Sequence, residues 1–204
     1  MQSVFRCFLV PSMLVLTACA SAPPQNLSNL CSIFEDRGSW YKAARKSEQR
    51  WGVPVEVNMA FIYHESGFRG RAKPPRRRLL GFIPGPRASD AFGYAQALDN
   101  TWNDYRVAAG NWGARRSRFK DAIDFVGWYN DMSNVINDIP KDDAYNLYLA
   151  YHEGNGGYSR GSYREKAWLL DTATTVQQTA RRYGSQLQTC EDRLGRGWFS
   201  RLFP

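Results

Sequence analysis

From residue 40 onward the apolar side chains recur at three- and four-residue steps, a period that admits helices and little else. Trp40, Ala43, Ala44, Ser47 and Trp51 share one helical stripe, Gly52 follows as a C-terminal stop, and Val53-Pro54 opens the next element. A second helix runs from about Pro54 to Ser66, and further helical stretches fall near 100–110, 120–138, 142–153 and 162–189. In the last of these, Trp168, Thr172, Val176, Ala180, Tyr183 and Leu187 keep the step. No period-two alternation or Val/Ile/Thr run announces a sheet, so the expected class is all-α. At 204 residues, 43% hydrophobic and 23% charged, the chain is one ordinary folded domain, and a collagen, a disordered chain and a multi-span membrane protein are excluded.

One segment breaks the pattern. Residues 69–87, RGRAKPPRRRLLGFIPGPR, hold four prolines and three glycines and cannot be a regular helix. A loop of this length in a compact domain is usually functional or disordered. It also locates the charge. The chain carries 27 Lys plus Arg against 19 Asp plus Glu, a formal +8 that favours a polyanionic partner. Seven of those bases (Arg69, Arg71, Lys73, Arg76, Arg77, Arg78, Arg87) lie in this one segment, which has no acid. Without them, and without Arg6 of the N-terminal leader, the rest of the chain is balanced at 19 against 19. The basicity is therefore a local device, expected to meet an anionic partner: peptide stems, phospholipid head groups or an acidic protein.

Residues 1–18 hold one positive charge, no acid, and an apolar stretch from Phe8 to Leu16 too short to span a bilayer, the pattern of a secretion signal. It ends Leu16-Thr17-Ala18-Cys19, which resembles the lipobox of bacterial lipoproteins, whose cysteine is acylated and begins the mature chain. The alternative is an ordinary signal cleaved after Ala20 or Ala22. Lipidation at Cys19 would anchor the chain stably, and Ala20 in place of Asp resembles sorting to the outer membrane, facing the periplasm. Residues 19–30 then form a Pro- and Ser-containing tether. Cys7 leaves with the leader and Cys19 is modified, so Cys31 and Cys190 remain in an oxidising compartment and are expected to pair, the alternative being two separate buried thiols. Export also argues against nucleic acid as the partner.

Glu65 is the first candidate for chemistry. At about 100° per residue it lies near the direction of Asn58, Phe61 and Ile62, at the C-terminal end of a mainly apolar helix. Burial and the negative end of the helix dipole both raise a carboxyl pKa there. A carboxylic acid kept protonated near neutral pH is what a glycosidase needs to protonate a leaving oxygen. The structural alternative is an ion pair with one of the nearby arginines. The aromatic content, 14%, suits core packing and equally a carbohydrate groove, where flat rings cover apolar sugar faces.

Three ordered motifs now stand together: Glu65-Ser66-Gly67-Phe68; Ser89-Asp90-Ala91-Phe92-Gly93-Tyr94-Ala95-Gln96 with Thr101 beyond it; and Ala150-Tyr151-His152-Glu153-Gly154. This set resembles the soluble lytic transglycosylases, which share the goose-type lysozyme fold. The resemblance implies a lysozyme-like helical domain over 31–192 with a basic inserted loop at 69–87 and a C-terminal tail at 193–204. It implies that Glu65 is the single catalytic acid and base, cleaving the bond between N-acetylmuramic acid and N-acetylglucosamine in peptidoglycan and closing a 1,6-anhydro ring without a cofactor. It places Ser89, Tyr94, Gln96, Tyr151 and His152 with the substrate, Ser89 beside the glutamate and Tyr151 holding either the glutamate or the sugar's N-acetyl group.

The chain departs from the pattern at Tyr94-Ala95, where the family has Leu-Met, at His152, where it has Asn, and in the insertion, which could form a lid. These departures keep open a peptidoglycan-binding scaffold without activity. Asp90, beside Ser89, keeps open a lysozyme-type hydrolysis with two carboxylates. A zinc site from His64, His152 and Glu153 is discounted, since there is no H-E-x-x-H and the chain has only two histidines. In the tail, Trp198, Phe199, Leu202 and Phe203 stand among Arg193, Arg196 and Arg201, to pack on the domain or touch a membrane surface.

Overall fold

The structure is a computed structural model that describes residues 22–79 and 83–195. The leader, Cys19 and the tail from residue 196 onward lie outside the described residues. Eight helices follow one another among them: α1 (Leu30–Asp36), α2 (Gly38–Trp51), α3 (Val55–Ser66), α4 (Asp99–Ala108), α5 (Phe119–Asn137), α6 (Ala144–Glu153), α7 (Asn155–Ser159) and α8 (Ala167–Gly195). A hairpin of β1 (Arg76–Leu79) and β2 (Ile83–Arg87) lies between α3 and α4. The domain is thus all-α except for that ribbon.

At the centre is α3. Val57, Asn58, Met59, Ala60, Phe61 and Ile62 are at most 2% exposed, so six successive residues, covering every direction around the helix, are under protein. A helix apolar all round has no face for water and must sit inside. It packs against α8, α5 and α2. Helix α2 carries its stripe as expected, with Trp40, Ala44 and Ser47 buried, and ends where Gly52 takes a left-handed conformation and donates to the Glu48 carbonyl at 2.7 Å. Ser47 donates to the Ile123 carbonyl (3.0 Å), fixing α2 to α5. Trp40 stacks on Phe119 with centroids 3.9 Å apart, which ties the start of α2 to the start of α5.

Helix α8 differs from its expected register at one end. Val176, Ala180, Tyr183 and Leu187 are buried as the period predicts, but near the N-terminus the buried positions are Leu169 and Ala173, while Trp168 is 56% exposed. The helix also begins at Ala167 instead of near 162, because residues 160–166 form turns closed by Arg164 N–H to Gly161 and Lys166 N–H to Tyr163. At its other end it continues to Gly195, so the first residues assigned to the tail are helical.

The inserted segment is where a strand was not expected. Arg76 pairs with Arg87 and Leu79 with Ile83 in an antiparallel ribbon. A two-stranded ribbon has two open edges, so prolines such as Pro84 and Pro86 can be accommodated without breaking a central ladder. With four prolines the segment has no alternating pattern from which pairing could be read.

Cys31 of α1 and Cys190 of α8 are joined by a disulfide with Cα atoms 6.1 Å apart, closing 159 residues of chain. Around it Leu30 N–H donates to the Gln186 side chain (2.8 Å), Gln186 donates to the Ser28 carbonyl (3.1 Å) and Arg193 pairs with Glu35 (2.8 Å). The chain-entropy account of so long a loop gives about 3–5 kcal/mol. Replacing both cysteines by serine should therefore lower the free energy of unfolding by about 2–5 kcal/mol, seen as a lower urea midpoint with the helical signal kept in the absence of denaturant.

Candidate active site

The site begins where α3 stops. Gly67 has a left-handed φ of 57° and its N–H closes onto the Tyr63 carbonyl at 2.8 Å. Ser66, buried, turns its hydroxyl back to the Ile62 carbonyl (3.2 Å), and Arg69 Nε donates to the Ser66 carbonyl (2.7 Å). Phe68, fully buried despite a φ of 58°, drives into the core against Trp40 and Tyr63. The E-S-G-F run is thus a helix stop: glycine permits the reversal, phenylalanine anchors it, and serine satisfies itself locally. Glu65 is left on the last turn of a buried helix, its carboxyl largely enclosed.

Burial pushes the Glu65 carboxyl up to about 7, and the Tyr148 hydroxyl, bonded to it, opposes that rise. Tyr148 and Tyr151 lie one turn apart on α6, and Phe61, one turn before Glu65 on α3, meets both rings edge-on at 5.4 and 5.3 Å. Burial and then the Glu65 charge raise both phenols, so each keeps its proton. Tyr151 does not direct its hydroxyl proton to the glutamate; it donates to the Ala95 carbonyl at 2.6 Å, joining α6 to the middle motif. Tyr148 was not among the residues expected from the sequence, although its spacing from Tyr151 places it on the same helical face.

The middle motif is a tight loop. A side chain at Gly93 (φ 81°) would meet the Arg116 carbonyl at 2.2 Å, and the backbone needs that approach because Tyr94 N–H donates to the same carbonyl (3.2 Å). Gly93 N–H reaches the Ala72 carbonyl (3.0 Å), and Gln96 Nε2 donates to Ala72 (3.1 Å) and to Gly93 (2.8 Å). Gln96 itself has a φ of 47°. Its nitrogen is committed to the loop, which leaves the amide oxygen as the end able to receive a ligand.

Gln96, Thr101, Tyr151, His152 and Gly154 line one cleft of about 240 Å³, so the second and third motifs converge. Exposed His152 stands at its wall, with Nδ1 3.1 Å from Glu153 and its ring edge-on to Trp168 at 4.9 Å. Glu153 is clamped by Lys166 Nζ at 2.7 and 2.8 Å and by Ser162, and these contacts, Lys166 first, hold its carboxyl down at about 2. It is an anchored ion pair that fixes the end of α6. Trp168, which keeps the helical period of α8, is exposed and stands beside His152.

The remaining residues go elsewhere. Tyr94 is 3% exposed and packs edge-on against Trp40 and Phe119, so it is a core aromatic; its neighbours in the motif turn the loop so tightly that its ring faces inward. Ser89 is exposed and accepts from Ala91 N–H (3.4 Å) in a hollow lined by Lys73, Arg87, Asp90, Phe92 and Arg116. Neither Ser89 nor Asp90 is among the groups that act on the Glu65 carboxyl. His64 is half-buried against α8, its Nε2 3.0 Å from the Thr179 hydroxyl, whereas His152 meets Trp168 three turns away on the same helix.

A family model for the transglycosylase SLT domain matches residues 7–190, and the chain belongs to that family. The family acts on peptidoglycan as a transglycosylase that cleaves glycosidic bonds. No curated protein matches the sequence.

A carboxyl whose folded pKa is raised from the usual 4.5 to about 7 binds its proton more tightly in the native state. Its contribution to stability is complete below pH 4.5 and is lost as pH rises through 7. Glu65→Gln, neutral at every pH, should match wild type in stability at pH 4.5 and exceed it at pH 8 by on the order of 2 kcal/mol, measured by paired urea titrations. Equal differences at both pH values would show that Glu65 ionises without penalty.

Proposed function

We propose that the protein is a lytic transglycosylase that cleaves the β-1,4 bond between N-acetylmuramic acid and N-acetylglucosamine and leaves 1,6-anhydro ends. The observation that carries this reading is Glu65 itself: a single enclosed carboxyl, raised by burial to about 7, whose charge acts on Tyr151 in the wall of a cleft built from two convergent motifs. In the first step Glu65 gives its proton to the glycosidic oxygen, which leaves as a hydroxyl. The resulting carboxylate is held by the Tyr148 hydroxyl, the interaction that favours the charged form. In the second, that carboxylate takes the proton of the muramic C6 hydroxyl as its oxygen closes on C1, and Glu65 is neutral again. No water is consumed. An intramolecular hydroxyl, already positioned, takes the place of the water that a second carboxylate activates in an inverting glycosidase.

Gln96 and His152 are the groups we assign to holding the sugar, with the Gln96 amide oxygen accepting from an acetamido N–H. Asp90 is the residue that would favour hydrolysis. It is exposed beside Lys73 and Arg87, and the Glu65 carboxyl is shifted by burial and Tyr148 without it. Digestion of purified sacculi, with products read by mass, should give 1,6-anhydro muropeptides, and Glu65→Gln should lower the rate by about 10²–10⁴-fold. Reducing-end products would favour the muramidase reaction, and sacculus binding with no Glu65-dependent turnover would favour a scaffold.

We further propose that the chain is exported, acylated at Cys19 and held at the outer membrane facing the periplasm, where its substrate lies. Support comes from the leader and lipobox residues and from the oxidised Cys31–Cys190 pair, which fits a compartment outside the cytoplasm. Cys19→Ser should move the protein from the membrane to the soluble fraction on centrifugation of lysed cells.

A further inference from the structure

At the foot of the hairpin lies a hollow of about 330 Å³ that the glycan reaction does not use. Lys73, Arg87, Ser89, Asp90 and Arg116 form its walls, and partly buried Phe92 lies within it. Lys73 Nζ and the Arg116 guanidinium stand over the Phe92 ring at 5.5 and 5.4 Å from its centre. We propose that this hollow binds the carboxylate-bearing end of a peptide stem attached to the glycan; the proposal rests on the transglycosylase reading above and names what part of that substrate the insertion recognises.

The three cations are not equivalent. Arg116 is spent on structure: it pairs with Asp99 and donates to the carbonyls of Ala97 (2.8 Å) and Asp90 (3.2 Å). Arg87 donates to the Pro74 carbonyl, which fixes its position, and it has no ion-pair partner among the described residues. Lys73 has no acidic partner among the described residues. Arg69, Arg71 and Arg76 add to the field, and the whole stretch from 69 to 87 has no acid. Two exposed, unneutralised cations beside an aromatic floor suit a carboxylate on a short aliphatic chain. Asp90 on the same wall tempers the site: it opposes a dianionic phosphate more than a monoanionic carboxylate, and it can receive an ammonium carried near that carboxylate.

Position selects the stem over a lipid head group. The hollow is concave, with room for the end of a peptide, whereas a bilayer needs an open face. Its wall residues 89–92 run directly into the loop whose Gln96 lines the cleft beside Tyr151, so one ligand can reach both places only if it carries sugar and carboxylate together.

The test titrates the intact protein carrying Glu65→Gln, to stop turnover, with three soluble glycan fragments: one with peptide stems, one with the stem carboxylates amidated, and one without peptide. The free-carboxylate fragment should bind roughly tenfold more tightly than either of the others, and the preference should fall toward unity in Lys73→Ser/Arg87→Ser and in high salt. A preference that survives amidation or the double substitution would overturn the proposal, and an unchanged urea midpoint establishes that the double variant is folded. Equal binding of all three fragments, with wild-type cleavage of the peptide-free glycan, would sink the stem site alone. No binding and no wild-type turnover of any fragment would sink the transglycosylase reading and the stem site with it. Loss of binding to phosphatidylglycerol–phosphatidylcholine vesicles in the double variant, with the glycan preference intact, would assign the cations to a membrane surface instead.

Discussion

Everything about the site depends on a helix with nowhere to put water. Helix α3 is covered on all sides through Val57–Ile62, so the segment that carries Glu65 is fixed by the packing of α2, α5 and α8 before any polar contact is considered. Beyond that covered stretch, in its last turn, the desolvation cost is still high enough to favour the neutral acid. The raised carboxyl of Glu65 and the burial of the core are therefore one effect. The same core sets the orientation of the partners, since Phe61 wedges between Tyr148 and Tyr151 and so decides where both phenols sit. A smaller residue at that position would loosen the tyrosines and lower the barrier to water at the carboxyl together.

Much of this was legible in the sequence. The helical period located α2, α5, α6 and most of α8, Gly52 marked the stop of α2, and the place of Glu65 at the end of an apolar helix gave the direction in which its carboxyl is shifted. What was not legible shares a physical cause: contacts between segments distant in the chain. Trp168 fits the period of α8, but His152 gives it a partner outside the core and the buried stripe shifts by one residue at that end. Tyr94 sits in a motif that reads as groove lining, and the approach of Gly93 to Arg116 turns its ring into the core. Tyr148 lacked a motif of its own. The hairpin escaped because the signals for strands are alternation and β-branched residues, and a proline-rich ribbon has neither.

The two histidine–glutamate pairs show how identical words acquire different meanings. Glu65 is held neutral by enclosure, while Glu153 is held ionised by Lys166, Ser162 and His152. One is poised to exchange a proton and the other is kept from doing so. Environment, and not residue type, assigns the roles. The anchored pair still serves the cleft, because it fixes the end of α6 from which Tyr151 and His152 project.

The Ala72 carbonyl accepts from both Gly93 N–H and Gln96 Nε2, so the two ends of the insertion are pinned together at their root. The hairpin of β1 and β2 leaves the helical frame and returns to it at that clasp. Changes in its length alter only the entropy of closing a loop, which grows slowly with the number of residues. A lineage could lengthen, shorten or recharge this arm without shifting Gln96 or Glu65, which makes the basic hairpin an exchangeable part on a fixed helical frame.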